Sequence, residues 1–339
     1  MVIAITGAAG MLGARLADRL AADGHQVRGV DLRPEPTVGY VGDIRDPALL
    51  DRALTGATVV IHCAAALPSY PTDEIRSVIV DGTRGVFDAA RRAGVARVLH
   101  VSSTAVYGLP KQVPTTEAYP RSPVDTYSAA KAAAEEIAER HRADGLPVAV
   151  LRPKTFVGPG RMGLFAMLFE WAEEGRHFPV LGRGDVRIQM FAVDDLVNAV
   201  VTVLHAADDV ANDTYNLAAE EFGTLREDFQ AVLDAAGHGR RVVSLPARPA
   251  LAALSLLERS RLSPVYGRLL HKLMADSYVS TDKARDRLGF RPKLSNQDAI
   301  LRTYEWWRAQ RQHHRPARDG RTSRDPWRQG ALAAAKIFF

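Results

Sequence analysis

A tyrosine and a lysine four residues apart, Tyr127 and Lys131, fall one turn apart on one face of any helix that carries them. An ammonium held near a phenol favours the phenolate and lowers a pKa that starts at about 10. Such a pair can remove the proton of an alcohol. Ser103, at the end of an apolar run, can hydrogen-bond the same substrate oxygen. The spacing alone is common. It gains force from Thr6-Gly-Ala-Ala-Gly-Met-Leu-Gly13 near the start of the chain.

That stretch follows a short apolar strand, Val2 to Thr6, and precedes a helical pattern with Leu16 and Leu20 on one face. Strand, glycine turn and helix form the context of a dinucleotide site. Gly7 allows the tight turn, Gly10 the close approach of a pyrophosphate, and Gly13 tight helix-on-strand packing. The phosphates then meet the free amides at the helix start, including those of Met11 and Leu12. A second strand ends at Asp31, about 20 residues on, where a carboxylate accepts from both ribose hydroxyls of NAD and repels a 2′-phosphate. Arg33 could receive that phosphate, which keeps NADP open beside NAD. Asp43 and Ile44 are expected near the adenine. Residues 58–66 read as a buried strand ending in small residues, and Ala64 and Ala65 leave room for a ligand across the sheet. Within it His62 reads as a satisfied core histidine, and Cys63, the only cysteine, as packing.

Further helices are expected at 83–93, around Tyr127 and Lys131, at 163–174, from Asp194, and at 225–236, 250–258 and 299–308. Further strands are expected at 95–102, 148–152, 186–193 and 214–218. Repeated βαβ units followed by a helix-rich remainder imply an α/β fold: a parallel sheet with a smaller, interleaved substrate-binding lobe. Residues 1–160, with contributions from about 186–218, would bind NAD. Residues 161–308 would form most of the lobe.

The 339 residues suffice for such an arrangement, and the 47% apolar and 24% charged shares are those of an ordinary globular protein. No apolar run approaches the roughly 18 residues of a membrane span, and no signal peptide is evident, so a cytoplasmic setting is expected. One cysteine excludes an internal disulfide and cysteine-rich metal sites; no metal is expected. The net charge of +5 comes from a tail: from Arg308 onward eight Lys/Arg face two Asp/Glu. The body is near neutral and gives no reason to invoke nucleic acid. Residues 309–339 are expected to be a basic, flexible tail.

The glycine pattern at 6–13, Asp31, Gly42-Asp43, S-S-x-x-V-Y-G at 102–108, Tyr127/Lys131, L-R-P at 151–153, V-G-P-G at 157–160, V-D-D-L at 193–196 and L-G-F-x-P at 288–292 together resemble the extended short-chain dehydrogenase/reductase family. That family includes nucleotide-sugar epimerases and dehydratases and 3β-hydroxysteroid dehydrogenases. The resemblance implies a Rossmann-type, doubly wound parallel sheet with bound NAD(P), and Ser103, Tyr127 and Lys131 as the catalytic set, with Tyr127, Lys131 and Pro153 also touching the cofactor. Sugar 4,6-dehydratases of the family carry an Asp-Glu pair after the catalytic Ser/Thr, where this chain has Thr104 and Ala105; water loss by that route is not expected. Thr155 stands where sugar-nucleotide enzymes usually have Asn, and Lys154, Arg161 and Arg187 are the candidate anion contacts, with Thr104 and Thr155 beside them. The expected activity is NAD-dependent epimerisation of a nucleotide-linked sugar. The alternatives are a dehydrogenase or ketoreductase on an apolar alcohol and a non-catalytic NAD(P)-binding regulator. Relatives dimerise through paired helices, which makes a homodimer through 83–93 and 127–140 the expected assembly.

Overall fold

Period-two alternation in the first strand sorts the whole molecule. In β1 (Val2–Thr6), Ile3 and Ile5 face one side of the sheet and Ala4 the other, and all three are fully buried. A strand apolar on both faces needs cover on both, which is the environment of a parallel sheet. The computed structural model describes residues 1–160, 165–247, 249 and 274–311. Its main sheet joins β1 to β2 (Gln26–Asp31), β3 (Tyr40–Val41), β4 (Val59–His62), β5 (Arg97–Val101), β6 (Val148–Pro153) and, after three short strands introduced below, β10 (Thr214–Leu217). The order is β10-β6-β5-β4-β1-β2-β3, and every pairing is parallel. The fold is therefore the Rossmann-type doubly wound sheet expected from the sequence.

Helices α1 (Met11–Ala22) and α7 (Val193–His205) cover the Ile3/Ile5 face, the first through Leu16 and Leu20 and the second through Leu196, Val200 and Val203. The Ala4 face packs on α2 (Pro47–Leu54), α4 (Gly82–Arg92) and α5 (Thr126–Ala143), through Leu50, Val86, Phe87 and Ile137. Helix α4 continues α3 (Thr72–Arg76) through one π-turn at Ser77–Asp81. Chain order reverses between β1 and β4, and at such a point the strand ends open a crevice for ligands.

The second lobe has its own apolar cluster around Phe169, Trp171, Phe178, Phe229 and Tyr304. It is built from α6 (Phe165–Glu173), α9 (Leu225–Ala236) and α11 (Asn296–Arg311), with two small sheets. One pairs β7 (Phe156–Val157) with β9 (Phe191–Ala192), the other β8 (Phe178–Leu181) with β11 (Val242–Leu245). Two short helices, α8 (Asp208–Ala211) and α10 (Asp282–Leu288), complete the described elements.

Several expectations change. The strand over 186–193 shrinks to Phe191–Ala192: α7 begins at Val193, and residues 187–189 pair only in an isolated bridge of Ile188 with Ser277, while the Gln189 side chain bonds the amide of Val279 and the carbonyl of Ala219. The last helix starts earlier and runs to Arg311 rather than ending at 308. The expected helix at 250–258, Arg161 and the greater part of the basic tail lie outside the described residues.

Candidate functional site

The carboxyl ends of β1, β4, β5 and β6 lie side by side, with Thr6 opposite His62, His62 opposite His100, and Val101 opposite Leu151. Most of the expected cofactor and catalytic residues stand at or just after one of these ends or a neighbouring one, and Tyr127 and Lys131 are brought to them by α5. Gly7 takes φ 74°, open to glycine and rarely to other residues. A Cβ on Gly13 would stand 2.1 Å from the Gly7 carbonyl oxygen, and one on Gly7 2.8 Å from the Ala64 amide nitrogen. Helix, turn and the small residues after β4 are thus in backbone-to-backbone contact, a cradle that any side chain would fill. Ala64 is partly buried and Ala65 exposed. Met11 and Leu12 point into the core, which leaves their amides, not their side chains, at the helix start.

Asp31 ends β2 and binds this loop directly: its carboxylate accepts from the Ala9 amide at 3.0 Å and from the Arg33 amide at 3.1 Å. The Arg33 side chain folds back as well, donating to the Ala9 carbonyl at 2.9 Å with its Nε 3.8 Å from Asp31. Asp43 is brought close by pairing of β2 with β3. Its carboxylate is gripped by Arg45 through two side-chain bonds and holds its proton less readily than usual, chiefly because of them. Ile44 is buried against Gly82.

Lys131 is 4% exposed, and its Nζ donates to the carbonyl of Val101 at 3.0 Å. Burial pulls its pKa down from 10.5 to about 8. Tyr127 lies one turn earlier on α5 and packs beside Ala130 and Ala134. Helix α5 starts where it does because Asp125 and Ser128 cap it reciprocally. Two residues beyond the strand carbonyl held by Lys131 stands Ser103, partly buried, whose Oγ accepts from the Ala105 amide at 3.1 Å and caps a 3₁₀ turn at Thr104–Tyr107. Its hydroxyl hydrogen stays available to donate. Below the site, His62 is satisfied between Thr6 Oγ1 at 2.6 Å and Thr83 Oγ1 at 3.0 Å, and burial lowers its pKa to about 3. Burial pushes the Cys63 thiol up to about 12, so it is an inert packing group.

The expected substrate contacts divide. Thr104, Lys154, Thr115 and Tyr278 line one small cavity of about 10 Å³, room for about one water. Thr104 Oγ1 reaches the Pro153 carbonyl at 3.4 Å, and Lys154 Nζ donates to Ser277 Oγ at 2.8 Å. Arg187 is exposed, with its guanidinium 4.6 Å from the Phe222 ring centre and 5.3 Å from that of Tyr278. Its own amide donates to Asp276. Thr155 is exposed, and its carbonyl accepts from Phe191.

Residues not singled out in the sequence occupy the buried layer behind the site. Glu135, one turn after Lys131, binds Ser102 and Arg152, and Arg152 reaches Tyr107. The V-D-D-L acids are structural: Asp194 pairs with Arg15, and Asp195 accepts from the amides of Lys293 and Leu294 at 3.0 and 2.9 Å. No group of three potential metal ligands occurs among the described residues.

A family model described as the NAD-dependent epimerase/dehydratase family matches residues 3–218. The chain belongs to that family. Among its relatives, an uncharacterised protein, y4nG, of Sinorhizobium fredii is 36% identical over 91% of this chain and 78% of its own length. A UDP-glucose 4-epimerase of Mycolicibacterium smegmatis is 30% identical over 90% of this chain and 97% of its own. A 3 beta-hydroxysteroid dehydrogenase/Delta 5→4-isomerase of Mycobacterium tuberculosis is 27% identical over 88% of each. The crystal structure of a Thermotoga maritima UDP-glucose 4-epimerase superposes with a TM-score of 0.75 at 23% identity, covering 91% of this chain and 99% of that one. That last likeness is one of fold. The family is NAD-dependent, and the glycine cradle with Asp31 at its rim fits a dinucleotide.

Proposed function

We propose that this protein is an epimerase that oxidises one carbinol of a nucleotide-linked sugar and reduces the ketone from its opposite face. The observation that carries the reading is Lys131, buried and bonded to the end of the strand that leads to Ser103, with Tyr127 one turn away on the same helix. In this reading Tyr127, as phenolate, takes the proton of the reacting hydroxyl and later returns it. Lys131, still charged at neutral pH, keeps the phenol acidic. Ser103 donates to the substrate oxygen as it becomes a carbonyl. NAD, when bound, supplies the hydride acceptor for the first half of the cycle and the donor for the second. Gly7, Gly10, Gly13 and Asp31 would hold it, Arg33 being already committed to Asp31 and the loop carbonyl, which supports NAD over NADP.

Arg187, exposed and displayed on two aromatic rings, would hold the phosphates of the substrate. The 30% identical UDP-glucose 4-epimerase supports this substrate class. Neither Thr104 nor Ala105 offers a carboxylate, so the ketone has no group there to drive water loss. A homodimer through α4 and α5 belongs to the same reading. The test is incubation with UDP-glucose without added cofactor, following the 4-epimer by NMR. Isomer formation, lost at least about 10³-fold in Tyr127→Phe, is expected. Absence of any isomer from a panel of nucleotide sugars, with the protein saturated in NAD, refutes the proposal.

Oxidation of an apolar alcohol is a second reading, favoured by Thr155 in place of the usual Asn and by the 27% identical steroid dehydrogenase. It requires steady net formation of NADH with the alcohol, which an epimerase does not produce.

A further inference from the structure

Behind the candidate site lies a set of buried charges that the reaction scheme does not use. Glu135 is 1% exposed and sits on α5 four residues after Lys131, eight after Tyr127. One of its oxygens accepts from Ser102 Oγ at 2.6 Å and from Arg152 Nε at 2.9 Å; the other accepts from Arg152 Nη2 at 2.6 Å and Arg121 at 3.3 Å. Arg152, itself 5% exposed, immediately precedes Pro153 and donates onward to Tyr107 Oη at 2.8 Å. Tyr107 in turn donates to Asn216 on β10 at 2.8 Å. A single carboxylate therefore ties three pieces of backbone together: the end of β5, the end of β6 and the middle of α5.

We propose that Glu135 is a positioning residue of the reaction, fixing Ser103 relative to Tyr127 and Lys131 by clamping the neighbouring Ser102 and Arg152 to the helix. This rests on the catalytic reading of Ser103, Tyr127 and Lys131 above. Stability alone is a weak reason for such a cluster, because a buried ion pair is often replaceable by apolar groups at no loss. Geometry is the better reason. Lys131 holds β5 through the Val101 carbonyl and Glu135 holds it one residue further on, so α5 grips the strand end at two points. The second grip removes the freedom of the Ser102–Ser103 segment to rotate away. A displacement of about 1 Å in such a set reduces turnover on the order of 100-fold.

The experiment uses the full-length protein with its bound nucleotide and UDP-glucose as probe. Glu135→Gln keeps one acceptor for Ser102 and removes the charge that orders Arg152. The expected result is a kcat lower by about 10- to 100-fold with KM within about threefold, and bound NAD retained. Because Glu135→Gln leaves Arg152 buried without a counter-charge, it can fail to fold. The double variant Glu135→Leu/Arg152→Met removes both charges at similar volume and covers that case. A double variant with the wild-type melting temperature and the same selective loss of kcat supports the clamp. Wild-type kcat in either folded variant overturns it. Undiminished turnover in Tyr127→Phe instead overturns the catalytic reading itself, and the two failures are told apart by which variant keeps its rate.

Discussion

Replacing Lys131 with methionine should make the nucleotide-free protein more stable while removing its activity. The ammonium is buried, and its pKa falls from 10.5 to about 8 on folding. At about 1.4 kcal/mol per unit, holding that charge in the folded state costs about 3 kcal/mol. Methionine fills a similar volume without a charge but forfeits the bond to the Val101 carbonyl, a loss of about 1 kcal/mol. The net gain of about 2 kcal/mol should raise the melting temperature by several degrees. Its pH dependence carries a sign. Below pH 8 the lysine is charged in both folded and unfolded chains, so the full cost is present and the advantage of methionine is constant. Between pH 8 and 10.5 the folded protein releases its proton first and the cost fades, so the advantage falls to about zero near pH 9.5 and reverses above it. Calorimetry of both proteins from pH 7 to 9.5, stripped of nucleotide because a bound ligand adds its own stabilisation, reads this directly. A methionine variant less stable than wild type at pH 7, or an advantage that does not decline above pH 8, refutes the reasoning.

Gly13→Ala should lower both melting temperature and the NAD content of the purified protein, since its Cβ would overlap the Gly7 carbonyl oxygen at 2.1 Å; retention of one NAD per chain would contradict this. Asp195→Ala leaves the amides of Lys293 and Leu294 without their acceptor and should destabilise by about 2–4 kcal/mol, seen as a lower urea midpoint. His62, with its pKa depressed to about 3, charges only in the unfolded chain as pH falls below 6.5. Stability should therefore drop between pH 6.5 and 3, and His62→Gln should flatten that slope in acid titrations followed by circular dichroism.

The glycine turn, the strands around it and the Tyr127–Lys131 helix were legible because each is written in a few contiguous residues. Helix α2 had a signal that was not read: Asp46 caps it and Pro47 opens it. Strands β8 and β11 are four residues each and gain their partners only in space, across about 60 intervening residues. Glu135 was readable in part. It is an acid on the same helix face as Lys131 in an alanine-rich stretch, and an acid on a buried face needs partners. Which partners they are depends on strands β5 and β6 and cannot be had from helix periodicity. The setting of Arg187 is wholly non-local, since Phe222 and Tyr278 arrive from distant parts of the chain. The V-D-D-L pattern is visible as a motif, but its acids proved to fasten α1 and the segment before α11.

The pairing of β10 with β6 bears on how the polypeptide can be cut. Strand β10 completes the sheet only after residues 154–213 have left it and returned. A gene fragment ending at 160 would thus leave the Val150–Pro153 edge of β6 without its partner strand, its backbone groups open. Such edges recruit other copies. Residues 1–160 are accordingly no detachable module: expressed by themselves they should precipitate.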